Sequence, residues 1–260
     1  MPSFTSLIVT YNSANEIPDL LGDLRRHARP NNVIVIDNDS RDGTADRIEG
    51  DFPEARLVRN TDNVGYARAV NQGFELCETE YVMLLNPDIR IPNPDLFEEL
   101  LSHTRRFPEL AAVAPVQYKR YDRKRHLNLN WSFLAPRAFR IYIAHLMRLE
   151  KRYERPVSVT FLNAGCLFIR RSAFLQAGRL DEKYFLYGGE PDLFLKFKRL
   201  GFESQLLPNV EVIHFRERSL DTLAGDRRLR YKLQGVYDTI DALVVGWTRI
   251  MRDRLGQPGI

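Results

Sequence analysis

Over residues 6–88, short apolar runs alternate with longer segments in which apolar residues recur every three or four positions. The runs lie at 6–10, 33–36, 55–58 and 81–85, and the segments between them predict helices. Strands that alternate with helices in this way form a parallel sheet with right-handed crossovers, because each helix packs back onto the sheet. The sequence therefore predicts an α/β fold with a Rossmann-like, mostly parallel central sheet flanked by helices.

The last of these runs, Tyr81 to Leu85, is suited to a strand that is buried on both faces. Asn86, Pro87 and Asp88 follow it, and Pro87 should end the strand because it has no N–H to donate. Asp88 would then lie at the carboxyl end of a buried strand, where open α/β sheets bind ligands and a carboxylate can hold a divalent cation. On the tripeptide alone, a simple turn is the preferred interpretation.

Composition and charge narrow the class of protein. The 260 residues, 44% of them hydrophobic, suffice for one large α/β domain or two small ones. A net charge of +4 suits a phosphate-bearing substrate or an anionic membrane, and does not by itself indicate nucleic acid. Cys77 and Cys166 form no C-x-x-C pair, which favours a reduced compartment without structural zinc. We see no secretory signal and no membrane-spanning run, so we expect a cytoplasmic protein.

Polar loops follow the first two predicted strands. The first loop, residues 10–13, contains no glycine, which argues against a G-x-G-x-x-G dinucleotide site and against a P-loop. The second strand ends in two acidic residues, Asp37 and Asp39, whose carboxylates could accept hydrogen bonds from a ribose hydroxyl or a base N–H. Capping of a turn or of the next helix explains these two residues equally well.

Four motifs, in this order, resemble glycosyltransferase family 2, and most closely its rhamnosyltransferase-like branch. They are Val9-Thr10-Tyr11-Asn12; Ile36-Asp37-Asn38-Asp39-Ser40 with Asp42-Gly43-Thr44; Asn63-Val64-Gly65-Tyr66-Ala67 with Asn71-Gln72-Gly73; and Leu85-Asn86-Pro87-Asp88. In that branch, Asn-Pro-Asp stands in the place of the Asp-x-Asp signature. The resemblance implies the GT-A fold, in which a nucleotide-binding half precedes an acceptor-binding half.

The resemblance also implies a nucleotide-sugar site and a Mg²⁺ or Mn²⁺ ion. The nucleoside pocket would be lined by Thr10, Tyr11, Asn12, Asp37 and Asp39. The residues near the ribose, the diphosphate and the sugar would be Gly65, Arg68, Asn71, Asn86 and Asp88. Of these, Asp88 would hold the metal, and His214 would complete the metal or diphosphate site together with Arg216 or Arg218. A lone histidine at the end of an apolar run is otherwise more often a core residue.

The second half of the chain supplies the residues implied for catalysis. Aligned on Asp192 and Leu193, the acidic pair of the family becomes Gly189 and Glu190, which assigns the catalytic base to Glu190 and loses the first acidic residue. An inverting transfer needs such a base on the acceptor hydroxyl. Gly165 and Asp192 would contact the acceptor. Considered without the family, capping of a helix explains Glu190 and Asp192 better.

Two amphipathic segments lie outside these motifs. Residues 137–153 interleave basic and apolar residues, which is typical of a helix on a membrane surface and equally of a surface helix with a solvated basic face. In the tail, apolar residues from Leu229 to Ile250 follow the spacing of a heptad seam. We expect this seam to pack against protein, either its own domain or a second copy in a homodimer.

The resemblance implies a GT-A catalytic domain at 1–225, with a nucleotide-sugar half at 1–118 and an acceptor half at 119–225, and the apolar spacing of the tail predicts a helix at 226–260. The expected activity is metal-dependent, inverting transfer from a nucleoside diphosphate sugar to a saccharide or lipid-linked saccharide in cell-surface polysaccharide assembly. We expect dTDP-L-rhamnose as the donor, with a UDP-hexose second. A peripheral position on the inner face of the membrane is the alternative location.

Two other functions compete with this expectation. A sugar-phosphate nucleotidyltransferase would share a similar nucleotide half but requires a glycine-rich first turn, which residues 10–13 lack. A degenerate sugar-nucleotide-binding subunit, whose partner catalyses, would fit the loss of the acidic residue at Gly189. Neither alternative involves nucleic acid.

Overall fold

A computed structural model describes residues 4–28, 32–118, 155–215, 234 and 237–250. The strands are β1 (Phe4–Thr10), β2 (Asn32–Asp37), β3 (Arg56–Arg59), β4 (Tyr81–Leu85), β5 (Ile89–Arg90), β6 (Leu110–Tyr118), β7 (Val157–Ser158), β8 (Cys166–Arg170) and β9 (Glu203–His214). The helices are α1 (Ile17–His27), α2 (Thr44–Asp51), α3 (Tyr66–Leu76), α4 (Leu96–Arg106), α5 (Arg171–Gln176) and α6 (Gly189–Arg199). Residues 237–250 form a further helix, the tail helix.

The strands form one mixed sheet in the order β3-β2-β1-β4-β8-β6-β9-β5, with β7 paired to β9. The first four strands of this order are parallel to one another, as the alternation of strands and helices predicts. Beyond β4 the sheet is mixed, because β8 is antiparallel to both β4 and β6, while β9 is parallel to β6. The parallel half and the mixed half meet at β4, the strand that ends in Asn-Pro-Asp.

Helices cover both faces of the sheet. Neighbouring residues of a strand point to opposite faces, so Leu7 and Ile8 of β1 belong to two different hydrophobic cores. The core around Leu7 receives apolar side chains from α3, α5 and α6, and the core around Ile8 receives them from α1, α2 and α4. On the first face α3 lies so close to β1 that a Cβ at Gly73 would come within 2.2 Å of the Leu7 side chain.

The segment at 203–215, which the sequence suggests as two short strands, is the single strand β9. Its pairing with β6 changes register between Pro115 and Val116, where the partner moves from Leu207 to Glu211. Pro208 lies in the skipped stretch and has no N–H for the ladder. The strand therefore continues past an irregularity, and its far end carries His214 to the edge of the sheet.

Within the described part of the tail, the predicted seam is divided between a face that packs on the domain and a face that is exposed. The buried positions of the tail helix are Thr239, Ala242, Gly246 and Ile250, whereas Ile240 and Trp247, two members of the predicted seam, are exposed. With Tyr237 and Val244 they form an exposed apolar stripe. The helix packs through small residues because Gly246 lies directly over Leu195 of α6.

Several sequence predictions lie outside the described residues. These are the amphipathic segment at 137–153, Arg216, Arg218, and the seam residues Leu229, Leu233 and Val236. Within the ranges that the structure describes, no helix is both long and apolar enough to cross a bilayer.

Candidate functional site

The sheet brings the carboxyl ends of β1, β2 and β4 to one edge. After β1 the chain runs to β2 and β3 on one side, and then returns to form β4 on the other side of β1. Such a reversal of strand order opens a crevice at the carboxyl ends of the strands. Thr10, Asp37 and the loop from Asn86 to Asp88 all lie at this edge, as the sequence predicts.

Asp37 organises the loop after β2. Thr10 Oγ1 donates to Asp37 Oδ1 at 2.9 Å, Ser40 Oγ donates to the same oxygen at 2.6 Å, and the Ser40 N–H donates to Oδ2 at 3.0 Å. The carboxylate is buried, and both its oxygens accept hydrogen bonds from the protein. Asp37 therefore shapes the pocket mainly by fixing the loop, in agreement with the turn-capping interpretation.

Tyr11, Asn12 and Asp39 present the more accessible surface of this pocket. Tyr11 is exposed. The Asp39 side chain keeps 30% of its surface accessible, and its Oδ2 lies 3.2 Å from Arg41 Nη2. Asn12 and Asp39 both have positive φ, 51° and 63°, a conformation that Asn and Asp tolerate better than other non-glycine residues. Asn12 is fixed by the loop after β2, since it accepts from the Arg41 N–H at 2.9 Å. These side chains can meet a ligand that enters the crevice.

Gly65 joins the first half of the chain to the segment that precedes α6. Its φ is 86°, and a Cβ there would lie 2.7 Å from the ring of Phe185 and 2.8 Å from its carbonyl oxygen. The next residue, Tyr66, donates its N–H to that carbonyl at 2.6 Å. On the other side, Asn38 donates to the Gly65 carbonyl at 3.2 Å. Only glycine fits this junction between the loop after β2, α3 and Phe185.

Two residues of α3 that the resemblance places near the donor differ in how free they are. The buried Asn71 donates to the Leu180 carbonyl at 3.0 Å and accepts from the Leu180 N–H at 3.1 Å. It donates to Glu182 as well, so its amide holds the segment at 180–182 against α3. The Arg68 side chain is 65% exposed, and its Nε lies as far as 3.9 Å from Glu182 Oε2. Because this ion pair is long, the guanidinium is able to reach a ligand.

The Asn-Pro-Asp loop is fixed on both sides. Asn86 donates its N–H to the Gly165 carbonyl at 2.9 Å, and the Asp88 carbonyl accepts from the Phe215 N–H at 3.2 Å. Behind the loop, the Ile91 N–H donates to the buried carboxylate of Asp23 at 2.9 Å. The Asp88 side chain is thereby held at the edge of the sheet with 12% of its surface exposed.

His214 lies beside Asp88 because β5 pairs with β9. Ile89 is opposite His214 in this ladder, and His214 Nε2 is 3.3 Å from Asp88 Oδ1 and 3.4 Å from Asn86 Nδ2. The other ring nitrogen, Nδ1, lies 3.1 Å from Gln117 Oε1. The ring is buried between these groups, so the structure brings together Asp88 and His214 as the sequence predicts.

The pair fits a small divalent cation. Two cis ligands of an octahedral Mg²⁺ or Mn²⁺, each about 2.1 Å from the ion, are roughly 3 Å apart, close to the 3.3 Å between His214 Nε2 and Asp88 Oδ1. No cluster of three or more His, Cys, Asp or Glu residues in the described part of the chain could hold a metal alone. A cation here would need further oxygen ligands, and Mg²⁺ commonly takes these from water and substrate phosphates.

Glu190 is in the first turn of α6, where the helix dipole favours a carboxylate. Burial nevertheless raises its pKa from the ordinary 4.5 to about 7. The nearby hydroxyl of Tyr66 is buried and has no hydrogen-bond partner among the residues that the structure describes. Burial and the charge of Glu190 raise the pKa of this hydroxyl well above its usual value. A carboxyl that exchanges its proton near neutral pH is suited to act as a general base.

Two residues near Glu190, Asp192 and Gly189, differ in what the structure requires of them. The buried Asp192 forms an ion pair with Lys196 at 2.6 Å, so its carboxylate is neutralised within α6. A Cβ at Gly189 would meet Leu180 at 3.4 Å and Ala67 at 3.8 Å, which are ordinary contacts. Gly189 therefore departs from the acidic residue of the family without a backbone requirement for glycine.

The tail helix contacts the segment that carries Glu190. Asp241 accepts from Lys183 Nζ and from the Tyr184 hydroxyl, both at 3.0 Å. A Cβ at Gly188, whose φ is 92°, would lie 2.8 Å from the carbonyl oxygen of Asp238. The turn that begins α6 is thus packed directly against the tail helix.

Gln117 and Asp23 are functional-site neighbours that sequence reasoning misses. Both had a signal in the sequence: Gln117 is polar near the end of the apolar run that forms β6, and Asp23 is acidic on the apolar face of α1. A polar residue on a buried face needs a partner. The partner of Gln117 is His214, and the partner of Asp23 is the Ile91 N–H, shortly after Asp88.

Residues 5–177 match the family described as Glycosyl transferase family 2. The N-acetylglucosaminyl-diphospho-decaprenol L-rhamnosyltransferase of Mycobacterium tuberculosis is 30% identical over 239 residues, which cover 81% of this chain and 75% of that protein. The low-salt glycan biosynthesis hexosyltransferase of Haloferax volcanii is 24% identical over 263 residues, covering 93% of this chain and 81% of that protein.

Solved structures of low sequence identity share the fold. The mannosyltransferase of Pyrobaculum calidifontis in complex with GDP-Man and Mn²⁺ has a TM-score of 0.62 at 16% identity, covering 99% of this chain and 76% of that one. GalNAc-T7 with UDP, GalNAc and Mn²⁺ has a TM-score of 0.59 at 15% identity, covering 82% of this chain and 44% of that one. At these identities the likeness concerns the fold alone.

Proposed function

The chain belongs to glycosyl transferase family 2, has the GT-A fold and is a glycosyltransferase, and from this premise we propose that it catalyses metal-dependent, inverting sugar transfer in cell-surface glycan assembly. The observation that carries the proposal is the placement of Asp88 and His214, 3.3 Å apart, at the crevice where the strand order reverses. A carboxylate and an imidazole at that position suit a cation shared with a diphosphate.

The donor half would bind the nucleoside diphosphate through the loops after β1 and β2. Tyr11, Asn12 and Asp39 would contact the nucleoside, supported from below by Thr10 and Asp37. Gly65 and Arg68 at the start of α3 would lie near the diphosphate. The cation, held by Asp88 and His214 next to Asn86, would neutralise charge on the leaving diphosphate.

Glu190 would act on the acceptor. Its carboxylate would take the proton of the acceptor hydroxyl while the oxygen bonds to the anomeric carbon and the bond to the diphosphate breaks. The attack comes from the face opposite the leaving group, so the anomeric configuration inverts. A pKa of about 7 leaves a substantial fraction of Glu190 ionised at neutral pH and still basic enough to accept the proton. Gly165 and the segment before α6 would border the acceptor.

We propose dTDP-L-rhamnose as the donor and a lipid-linked saccharide as the acceptor. The support is the name of the M. tuberculosis relative, an N-acetylglucosaminyl-diphospho-decaprenol L-rhamnosyltransferase. A UDP-hexose is the second candidate donor, since the H. volcanii relative is called a hexosyltransferase. Mn²⁺ is present in two of the solved neighbours, and either Mn²⁺ or Mg²⁺ would serve here.

The tail helix offers a surface for self-association. Tyr237, Ile240, Val244 and Trp247 lie on its exposed side at spacings of three and four, the pattern of a helix-pairing seam. We propose a homodimer through this stripe. Light scattering should show a dimer for the wild type and a monomer for a variant with Ile240 and Val244 changed to Gln. A monomeric wild type would refute the homodimer.

A transfer assay tests the main proposal. The purified chain would be incubated with dTDP-L-rhamnose, UDP-glucose or GDP-mannose, with and without Mn²⁺, and with a synthetic prenyl-diphosphate-linked N-acetylglucosamine. We expect glycosylated lipid from dTDP-L-rhamnose only when the cation is present. A protein that binds a donor but neither transfers nor hydrolyses it would instead be the degenerate subunit that Gly189 allows, and cation-independent transfer would refute the metal site.

A further inference from the structure

Gln117 has a buried side-chain amide, and each of its hydrogen-bonding groups needs a partner. It is the second-last residue of β6, an otherwise apolar strand, and only 3% of its surface is exposed. A side-chain amide has two N–H donors at one atom and an acceptor oxygen at the other, and a buried one must find partners for them. Its partners therefore reveal which way the amide is oriented.

Two backbone carbonyls fix this orientation. Gln117 Nε2 lies 3.1 Å from the Asn163 carbonyl oxygen and 3.4 Å from the Cys166 carbonyl oxygen. Carbonyl oxygens only accept, so the NH₂ group must face them, and the reverse orientation would place oxygen against oxygen. Gln117 Oε1 must then face His214 Nδ1, at 3.1 Å.

The amide in turn fixes the proton of His214. Since Oε1 can only accept, Nδ1 of the neutral ring carries the hydrogen, and Nε2 presents an unprotonated lone pair. That lone pair faces Asp88 and Asn86. Neutral imidazole with an unprotonated nitrogen is the form that binds a metal ion, and its other N–H is usually held by an outer partner.

Gly165 makes this arrangement possible. A Cβ at this position would lie 2.4 Å from both Cε1 and Nδ1 of His214 and 2.7 Å from Gln117 Oε1. The backbone at Gly165 therefore packs directly against the hydrogen bond between the two side chains. This close approach gives Gly165 a second role beside its predicted place near the acceptor.

We propose that Gln117 is a positioning residue for the metal site, which holds His214 as the Nδ1–H tautomer and presents Nε2 to a divalent cation bound with Asp88. The inference rests on the proposed metal-dependent function. It adds to that function a residue outside every motif of the resemblance.

Two variants of Gln117 isolate the hydrogen bond to His214. Gln117→Met and Gln117→Glu both replace the NH₂ group that donates to the Asn163 and Cys166 carbonyls. Only Glu keeps an oxygen acceptor opposite Nδ1, because burial against two carbonyl oxygens favours the neutral carboxyl, whose O–H can donate to them in place of the NH₂ group. We expect Gln117→Met to weaken Mn²⁺ binding roughly 10–100-fold, the usual effect of losing an outer partner of a ligating histidine. Gln117→Glu should bind Mn²⁺ within a few-fold of the wild type.

Mn²⁺ binding would be followed by electron paramagnetic resonance of the free ion, with dTDP, UDP or pyrophosphate added. Nitrogen NMR of the imidazole rings, without metal, provides a readout independent of activity. His214→Gln identifies the His214 signals. The wild type and Gln117→Glu should show Nδ1–H and bare Nε2, whereas Gln117→Met should shift toward the other tautomer. Thermal melting would confirm that each variant folds.

The outcomes separate the inference from the function on which it rests. If Asp88→Ala and His214→Gln weaken Mn²⁺ binding but Gln117→Met does not, the metal site stands and the role of Gln117 is refuted. A wild-type ring protonated at Nε2 refutes it as well. If none of the three variants changes Mn²⁺ binding, the metal site itself is wrong and the inference falls with it.

Discussion

Replacing Glu190 by glutamine should remove activity and raise stability in the same protein. Glutamine keeps the size of the side chain but can neither ionise nor take a proton from the acceptor. We expect turnover to fall by about two or more orders of magnitude, the usual result of losing a general base, while donor affinity stays unchanged. Near-wild-type turnover would move the base to Asp192 or another residue.

The stability gain follows from the burial of Glu190. Burial raises its pKa from 4.5 to about 7, so the folded protein holds the proton more tightly than the unfolded chain. The free energy of unfolding should therefore fall as pH rises from about 4.5 to about 7, and stay level above that. Each tenfold change in proton affinity corresponds to about 1.4 kcal/mol, which makes the loss at most about 3 kcal/mol, less to the extent that water reaches the carboxylate.

Urea unfolding at pH 4 and pH 8 measures this effect. Glu190→Gln should match the wild type at pH 4 and exceed it at pH 8, whereas Glu78→Gln, a change at an exposed carboxylate, should show no such difference. The wild-type transfer rate should fall about tenfold per pH unit below pH 7. Equal stability of Glu190→Gln and wild type at pH 8, or a rate that is flat from pH 5 to pH 8, would refute the reasoning.

Three further substitutions test other parts of the structure. Asp88→Ala should abolish the effect of Mn²⁺ on nucleoside diphosphate binding in calorimetry without lowering the melting temperature, and an unchanged metal effect would contradict the assignment. Burial opposes ionisation of Asp23, but Arg90 and the Ile91 N–H outweigh it and lower its pKa. Asp23→Ala removes the buried partner of Arg90 and should cost about 3 kcal/mol at pH 7, and because the pKa of Asp23 is lowered, the wild type should lose part of this stability as pH falls below about 4. Gly246→Leu, which would drive a Cβ to 2.2 Å from the Leu195 side chain, should cost about 1–3 kcal/mol in urea unfolding, whereas a leucine at the exposed Thr248 should cost nothing measurable.

The first half of the fold could be predicted from sequence because its signals are local. The buried run from Tyr81 to Leu85 matches β4 residue for residue, and α3 (Tyr66–Leu76) lies between the last two apolar runs, where a helix is predicted. Parallel pairing follows from the alternation of strands and helices. The antiparallel insertion of β8 between β4 and β6 could not be predicted, because strand order depends on distant packing that no local pattern records.

In the candidate site, too, local features can be predicted from sequence and contacts between distant residues cannot. The motifs lead to Asp88 and the resemblance leads to His214, but the pairing that sets these two side chains 3.3 Å apart joins Ile89 to a residue 125 positions later. Sequence alone also leaves the role of a polar side chain open. Asp37 and Asn71 find hydrogen-bond partners within the protein, and Asp192 pairs its charge with Lys196. Only the folded structure reveals these partners.

The contacts at Gly65 determine which substitutions the fold can accept there during evolution. The contact between α3 and the segment before α6 is made by the Tyr66 N–H and the Phe185 carbonyl, which are main-chain atoms that every substitution except proline preserves at position 66. Beside this contact, the Asn71 side chain bonds Leu180, and a Cβ is excluded at Gly65. Substitutions elsewhere in the segment before α6 therefore leave its main-chain contact with α3 intact, so the sequence of that segment can vary without loss of the contact.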